Sequence, residues 1–240
     1  MPSSAEKKYQ VDGQACRVAD LGSTVAVVVT HPWGPLGGNL HNNVVVAAVL
    51  YFQRLGISTC RFDFCGSQIG RGYDQVEQCR KVTEKLLQGA FTKSTSTPPK
   101  HIILIGYSYG SLITMSASAD IPQCIAGIAI SPPFGVQMWL LMFASEAHLT
   151  RAAVRTDLPR LFVSGDQDNF TAEARVRVTV EQRFPTDTVA IVQGADHFWR
   201  RRESDALGVV GQWLLSTFAD HCNGRLAALC DFGGVSPSEK

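Results

Sequence analysis

The chain has 240 residues, 45% of them hydrophobic and 18% charged, with 22 Lys and Arg against 21 Asp and Glu. This profile fits one compact domain spanning 1–240 with a sizeable core, and the balanced charge gives no reason to expect nucleic acid or an anionic membrane as principal partner. The longest apolar runs, 25–29 and 44–52, fall short of the ~20 residues a membrane helix needs, so no membrane span is expected. Met1 to Lys8 lacks the apolar stretch of a secretory signal. The seven cysteines (16, 60, 65, 79, 124, 222 and 230) form no C-x-x-C pair. That scatter argues against a disulfide framework and a zinc site, and a reducing, cytoplasmic setting follows. Arg200-Arg201-Arg202 is the one tight basic run, and reads as a solvated helix face.

In chain order, Leu21-Gly22-Ser23 reads as the turn of an early hairpin between 9–20 and a buried strand over 25–30. A Pro/Gly-dense loop, His31-Pro32-Trp33-Gly34-Pro35-Leu36-Gly37-Gly38-Asn39, follows that strand. Asn42 or Asn43 caps a predicted helix over 44–55, which Gly56 ends. A strand over 57–64, a helix over 74–87 and a polar loop over 93–100 come next. The β-branched run Ile102 to Ile105 predicts a strand buried on both faces, leading into small residues over 111–119 that suit a closely packed helix. Strands are predicted over 124–130, 161–164 and 188–193, with helices over 171–183 and 205–218. The tail from Asn223 reads as polar and frayed. Repeated β-then-α units predict an α/β fold with an open, mostly parallel sheet and helices on both faces.

The chemistry centres on Gly106-Tyr107-Ser108-Tyr109-Gly110, a G-x-S-x-G between the predicted strand and helix. In that setting the serine sits on a sharp bend with its hydroxyl exposed, and the glycines avoid collisions with strand and helix. A serine hydroxyl is a poor nucleophile, so it needs a base, and the base needs an orienting carboxylate. The partners are expected in the order serine, acid, histidine. His197 follows the last strand directly, whereas His148 falls before the acid and His221 lies in the tail. Asp166 and Asp168 both follow the strand over 161–164; two residues between Gly165 and the acid select Asp168, leaving Asp166 to hold the loop. The oxyanion donors are the amide of Tyr109 and, since Pro32 has no N–H, that of Trp33. His31 reads as structural, without a metal role, because no second ligand accompanies it.

An apolar insertion near 134–158 contains Met138-Trp139-Leu140-Leu141-Met142-Phe143. It reads as a cap whose Trp139, Leu140 and Phe143 wall the substrate pocket, with a plain core helix as the alternative.

With these residues in place the chain resembles the α/β-hydrolase superfamily over roughly 25–218, within it the small single-domain hydrolases related to dienelactone hydrolase. Carrying the resemblance are His31-Pro32-Trp33-Gly34, Gly37-Gly38-Asn39, Asn43, Arg61-Phe62-Asp63-Phe64-Cys65-Gly66, Gly165-Asp166-Gln167-Asp168 and Gly194-Ala195-Asp196-His197-Phe198. Trp33 replaces a second histidine, Cys65 an arginine, and Ser108 the cysteine of true dienelactone hydrolases, so lactone specificity is not carried over. The expected function is a cofactor-independent serine hydrolase cleaving a carboxylic ester or thioester of a small molecule. The alternatives are a serine peptidase on short peptides, for which the sequence shows no charged terminus anchor, and a non-catalytic binding or scaffold protein. Oligomeric state is not legible.

Overall fold

The computed structural model describes residues 6–94 and 96–218; His221, Cys222, Cys230 and the tail from Asn223 lie outside the described residues. A single eight-stranded sheet runs in the order β1-β2-β4-β3-β5-β6-β7-β8. The strands are β1 (Lys7–Val11), β2 (Gln14–Ala19), β3 (Val25–Thr30), β4 (Ser58–Phe62), β5 (His101–Tyr107), β6 (Cys124–Ile130), β7 (Arg160–Gly165) and β8 (Thr188–Val192). From β4 to β8 all pairings are parallel, and β1 and β2 add an antiparallel edge.

The edge hairpin turns at Asp12-Gly13, not at Leu21-Gly22-Ser23 as expected from sequence. Both turn residues lie at positive φ, 47° and 89°, the conformation a two-residue hairpin needs and that Asp-Gly supplies. Leu21 to Ser23 instead carries the chain from β2 past β4 to β3, since β2 pairs with β4.

Helices cover both faces because the central strands are apolar on both. In β3, Val25, Val27 and Val29 face one core while Ala26 and Val28 face the other, the period-two alternation of a pleated strand. The first core lies under α1 (Asn43–Arg54) and α7 (Glu203–Phe218); the second lies under α2 (Tyr73–Leu87), α3 (Tyr109–Ala117), α5 (Ser145–Ala153) and α6 (Glu173–Arg183). Asn42 occupies the cap position of α1, but its side-chain oxygen accepts the Asn39 N–H (2.7 Å) and no helix amide.

The insertion is not one cap helix. It is a single turn, α4 (Gln137–Leu140), followed by α5, a helix that the sequence reading did not place. Among the described residues no helix is long and apolar enough to cross a membrane, and no group of three or more His, Cys, Asp or Glu could hold a metal ion. The described cysteines are free; Cys16, Cys60, Cys79 and Cys124 are buried and Cys65 is half-buried. Burial pushes the Cys79 and Cys124 thiols up to about 12, so both behave as inert apolar packing.

Candidate active site

The chain leaves β3 for β4 on one side and crosses to β5 on the other, so a crevice opens at the carboxyl ends of β3 and β5 where strand order reverses. Ser108 sits there, immediately after β5. Its backbone has φ 53° and ψ −123°, a strained geometry for a residue with a Cβ. The bend is locked by bonds from the Ser108 N–H to Ile130 O (2.9 Å) and from the Ser111 N–H and hydroxyl to Ser108 O (2.9 and 2.6 Å). Glycine is required on either side: a Cβ at Gly106 would run into Ser111 and Thr114, and one at Gly110 into Thr30 and the His31 carbonyl.

Loops after β7 and β8 bring the other two groups to this bend. His197 Nε2 lies 2.9 Å from Ser108 Oγ, and His197 Nδ1 lies 2.9 and 3.1 Å from the two oxygens of Asp168. A carboxylate only accepts, so Nδ1–H donates to Asp168, and in the neutral ring Nε2 is left to accept the serine hydroxyl. The His197 and Asp168 side chains are 4% and 0% exposed, which keeps water from competing for these bonds. The imidazole packs against the Phe170 ring at 4.2 Å, and the Tyr107 hydroxyl donates to the His197 carbonyl at 2.9 Å.

Burial alone drives the Asp168 carboxyl upward. The bond and charge of His197, the Phe170 N–H and the Ser131 hydroxyl outweigh it, and the carboxyl is held below its ordinary value of 3.8. Its Oδ1 accepts the N–H groups of Phe170 (2.9 Å) and Thr171 (3.1 Å). Asp166, two residues earlier, points elsewhere: its carboxylate accepts the Gly194 N–H (2.5 Å) and ties the β7 loop to the β8 loop. Asp196 does similar work within its own loop by accepting the Phe198 and Trp199 N–H groups, both at 3.0 Å.

Trp33 leads into the short 3-10 turn Gly34–Leu36, and Tyr109 opens α3. Neither main-chain N–H donates to an acceptor among the described residues, which leaves both available to a ligand. Gln68 fixes the Trp33 segment from two directions: its carbonyl accepts the indole N–H (2.8 Å) and its side-chain oxygen accepts the Gly34 N–H (2.8 Å). His31 stays within this framework. Its Nδ1–H donates to Pro32 O (2.6 Å), its Nε2 accepts the Phe64 N–H (3.0 Å), and burial lowers its pKa, so it is a neutral structural group.

A cleft of about 560 Å³ opens over Ser108 and His197. Of the three expected pocket residues, Leu140 lines it, whereas Trp139 and Phe143 do not and stand 77% and 69% exposed. The reason is geometric: on one helical turn consecutive side chains diverge by about 100°, so Leu140 and Trp139 cannot face the same way. Sequence reasoning missed Ser131, Gln68 and Phe170. Ser131 and Gln68 act across long sequence separations, as does the Phe170 ring on His197, and no local pattern marks those contacts.

The strand order, the crevice and the serine bend define the α/β-hydrolase fold. A serine hydrolase homologue from Coxiella burnetii is 23% identical, with a TM-score of 0.65 over 86% of this chain and 95% of that one. A serine hydrolase without a lid from Xanthomonas campestris gives 23%, 0.66, 87% and 93% for the same quantities, and the Est1E protein of Butyrivibrio proteoclasticus 15%, 0.64, 90% and 100%. In sequence, an uncharacterized protein of Rickettsia prowazekii is 22% identical over 216 residues, covering 86% of this chain and 85% of its own length. No protein-family model matches the chain.

Proposed function

We propose that the chain is a serine hydrolase that cleaves a carboxylic ester or thioester of a small molecule through an acyl-enzyme, in a reducing, cytoplasmic setting that its free thiols suit. The observation that carries this reading is the buried, unbroken sequence of hydrogen bonds from Ser108 through His197 to Asp168. The serine hydrolase neighbours from Coxiella burnetii and Xanthomonas campestris, which share the fold, support it.

In the first half-reaction Ser108 Oγ attacks the carbonyl carbon while His197 Nε2 takes its proton, and the carbonyl oxygen becomes an anion. The N–H groups of Trp33 and Tyr109 receive that charge, each lowering the barrier by about 3 kcal/mol. The alcohol or thiol leaves with the proton from His197. Water then gives a proton to His197 and attacks the acyl carbon, and His197 returns that proton to Ser108 Oγ as the acyl bond to Ser108 breaks and the acid leaves. Asp168 keeps the ring in the required tautomer and stabilises the transient imidazolium. Leu140, Phe170 and Phe198 give the cleft an apolar wall suited to the organic part of the substrate.

Turnover of a p-nitrophenyl ester tests the reading. Ser108→Ala and His197→Ala each abolish it while circular dichroism stays unchanged; retention of more than about a tenth of the turnover in either variant overturns the assignment.

A further inference from the structure

The segment carrying Leu140 presents four large apolar side chains to solvent. Met138, Trp139, Met142 and Phe143 are 53%, 77%, 52% and 69% exposed, while Leu141 and Ala144 between and beside them are buried and anchor the segment. Met142 and Phe143 are consecutive residues in the left-handed region, at φ 43° and 67°, a conformation that side chains with a Cβ disfavour. The turn is held by bonds from Phe143 N–H to Met138 O and from Ala144 N–H to Leu141 O, both 2.8 Å. The Trp139 and Phe143 rings pack on each other, with centroids 6.1 Å apart. A cluster of this kind beside a cleft marks an interaction surface.

The lining of the cleft that Leu140 reaches indicates what that surface meets. Leu36 is 71% exposed, and Arg200 and Arg201 are exposed without an ion-pair partner among the described residues. Arg200 lies over the Phe198 ring, whereas Arg202 is already paired with Asp205. The nearby carboxylates are engaged, Glu203 by the Asn43 side chain and Asp196 by backbone N–H groups. A whole-chain charge of +1 conceals this local arrangement of apolar tips with two free guanidinium groups. A second copy of the chain meeting this rim about a two-fold axis near Arg200 and Arg201 would bring arginine towards arginine. An anionic lipid surface accepts both the tips and the cations.

We propose that the rim formed by Met138, Trp139, Met142, Phe143, Arg200 and Arg201 docks on an anionic lipid surface, so that the cleft draws its ester from the interface. The second half of that statement rests on the hydrolase reading; docking itself does not, and Ser108→Ala separates the two.

The experiment is flotation of the full chain with vesicles of phosphatidylcholine alone and of phosphatidylcholine mixed with phosphatidylglycerol, together with sedimentation of the free protein. Wild type and Ser108→Ala float equally with the anionic vesicles and poorly with the neutral ones. Trp139→Ser combined with Phe143→Ser lowers vesicle affinity by about tenfold or more. That variant keeps the wild-type melting temperature and its turnover of a soluble short-chain ester, because neither residue lines the cleft. Each arginine replaced by alanine costs about fivefold in vesicle affinity. Absence of flotation, or flotation indifferent to these substitutions, overturns the proposal. So does self-association abolished by the serine pair without vesicle binding, which gives the face to a second copy.

Discussion

Strands β7 and β8 carry a buried aspartate system at each end, and the two systems are shifted in opposite directions. At the carboxyl ends Asp168 meets His197, and its carboxyl is held below its ordinary value. At the amino ends Asp187 meets Arg160, yet burial outweighs that guanidinium and pushes its carboxyl upward. Both side chains are almost fully enclosed, 0% and 4% exposed, so enclosure alone does not set the direction. The difference lies in the donors. Asp168 has His197 and two main-chain N–H groups at 2.9 to 3.1 Å, whereas Asp187 relies on the Arg160 guanidinium and N–H, both at 3.2 Å. Arg160 also divides its bonds among the carbonyls of Leu158, Ala152 and Arg155. One end keeps an ionised carboxylate bonded to His197, which on the proposed reading orients a base; the other fastens the start of β7 to the chain before β8.

The largest effect that separates the two ends is catalytic. Asp168→Asn reverses the tautomer that His197 needs and lowers ester turnover on the order of 10⁴-fold, while Asp187→Asn leaves the turnover of the folded fraction near wild type. Loss of turnover in the second variant alone would reverse the roles of the two ends. Stability shows the converse. Asp187→Ala strands the buried Arg160 charge and costs about 3 kcal/mol, read from the shift of the urea midpoint. An unchanged midpoint would mean that Arg160 is satisfied by its carbonyl partners alone.

A smaller contrast lies within one loop. Asp166→Asn weakens a single exposed bond to the Gly194 N–H and lowers turnover less than about tenfold, far less than Asp168→Asn. The reverse order would transfer the acid role to Asp166.

The smallest predicted effect is the dependence of stability on pH. The Asp168 shift is downward, so its contribution is present above the ordinary value of 3.8 and is lost as pH falls through the folded-state value. The Asp187 shift is upward, so its ionisation weakens the fold as pH rises from 3.8 through the folded-state value. Acidification therefore weakens the wild type relative to Asp168→Asn and strengthens it relative to Asp187→Asn. Parallel denaturation series in urea against pH check both signs.

Sequence legibility follows the same division between local and distant causes. The Ser108 bend is a local matter of two glycines and a β-branched strand, and it is readable in one decapeptide. Asp168 and His197 lie just past apolar strands, so their element positions are legible, although the donors that make Asp168 acidic are not: Ser131 reaches it from the end of β6. Asp12-Gly13 carries a strong hairpin signal, yet the turn is expected at Leu21-Gly22-Ser23 because 9–20 reads as one continuous segment, whereas it holds two strands that pair with each other. The pairing of β2 with β4 excludes a hairpin at Leu21-Gly22-Ser23. Trp139 and Phe143 were expected inward because apolar side chains usually are. Nothing local announces that Met142 and Phe143 take left-handed backbone and leave that segment facing solvent.

The measurement that tests the central claim most directly is labelling of the intact chain with a fluorophosphonate, followed by peptide mapping. Such a probe reacts with a serine that is deprotonated by a neighbouring base. The account predicts one labelled site, Ser108, with labelling abolished in Ser108→Ala and strongly slowed in His197→Ala and Asp168→Asn. An unlabelled wild-type protein, or labelling that survives Ser108→Ala, would contradict it.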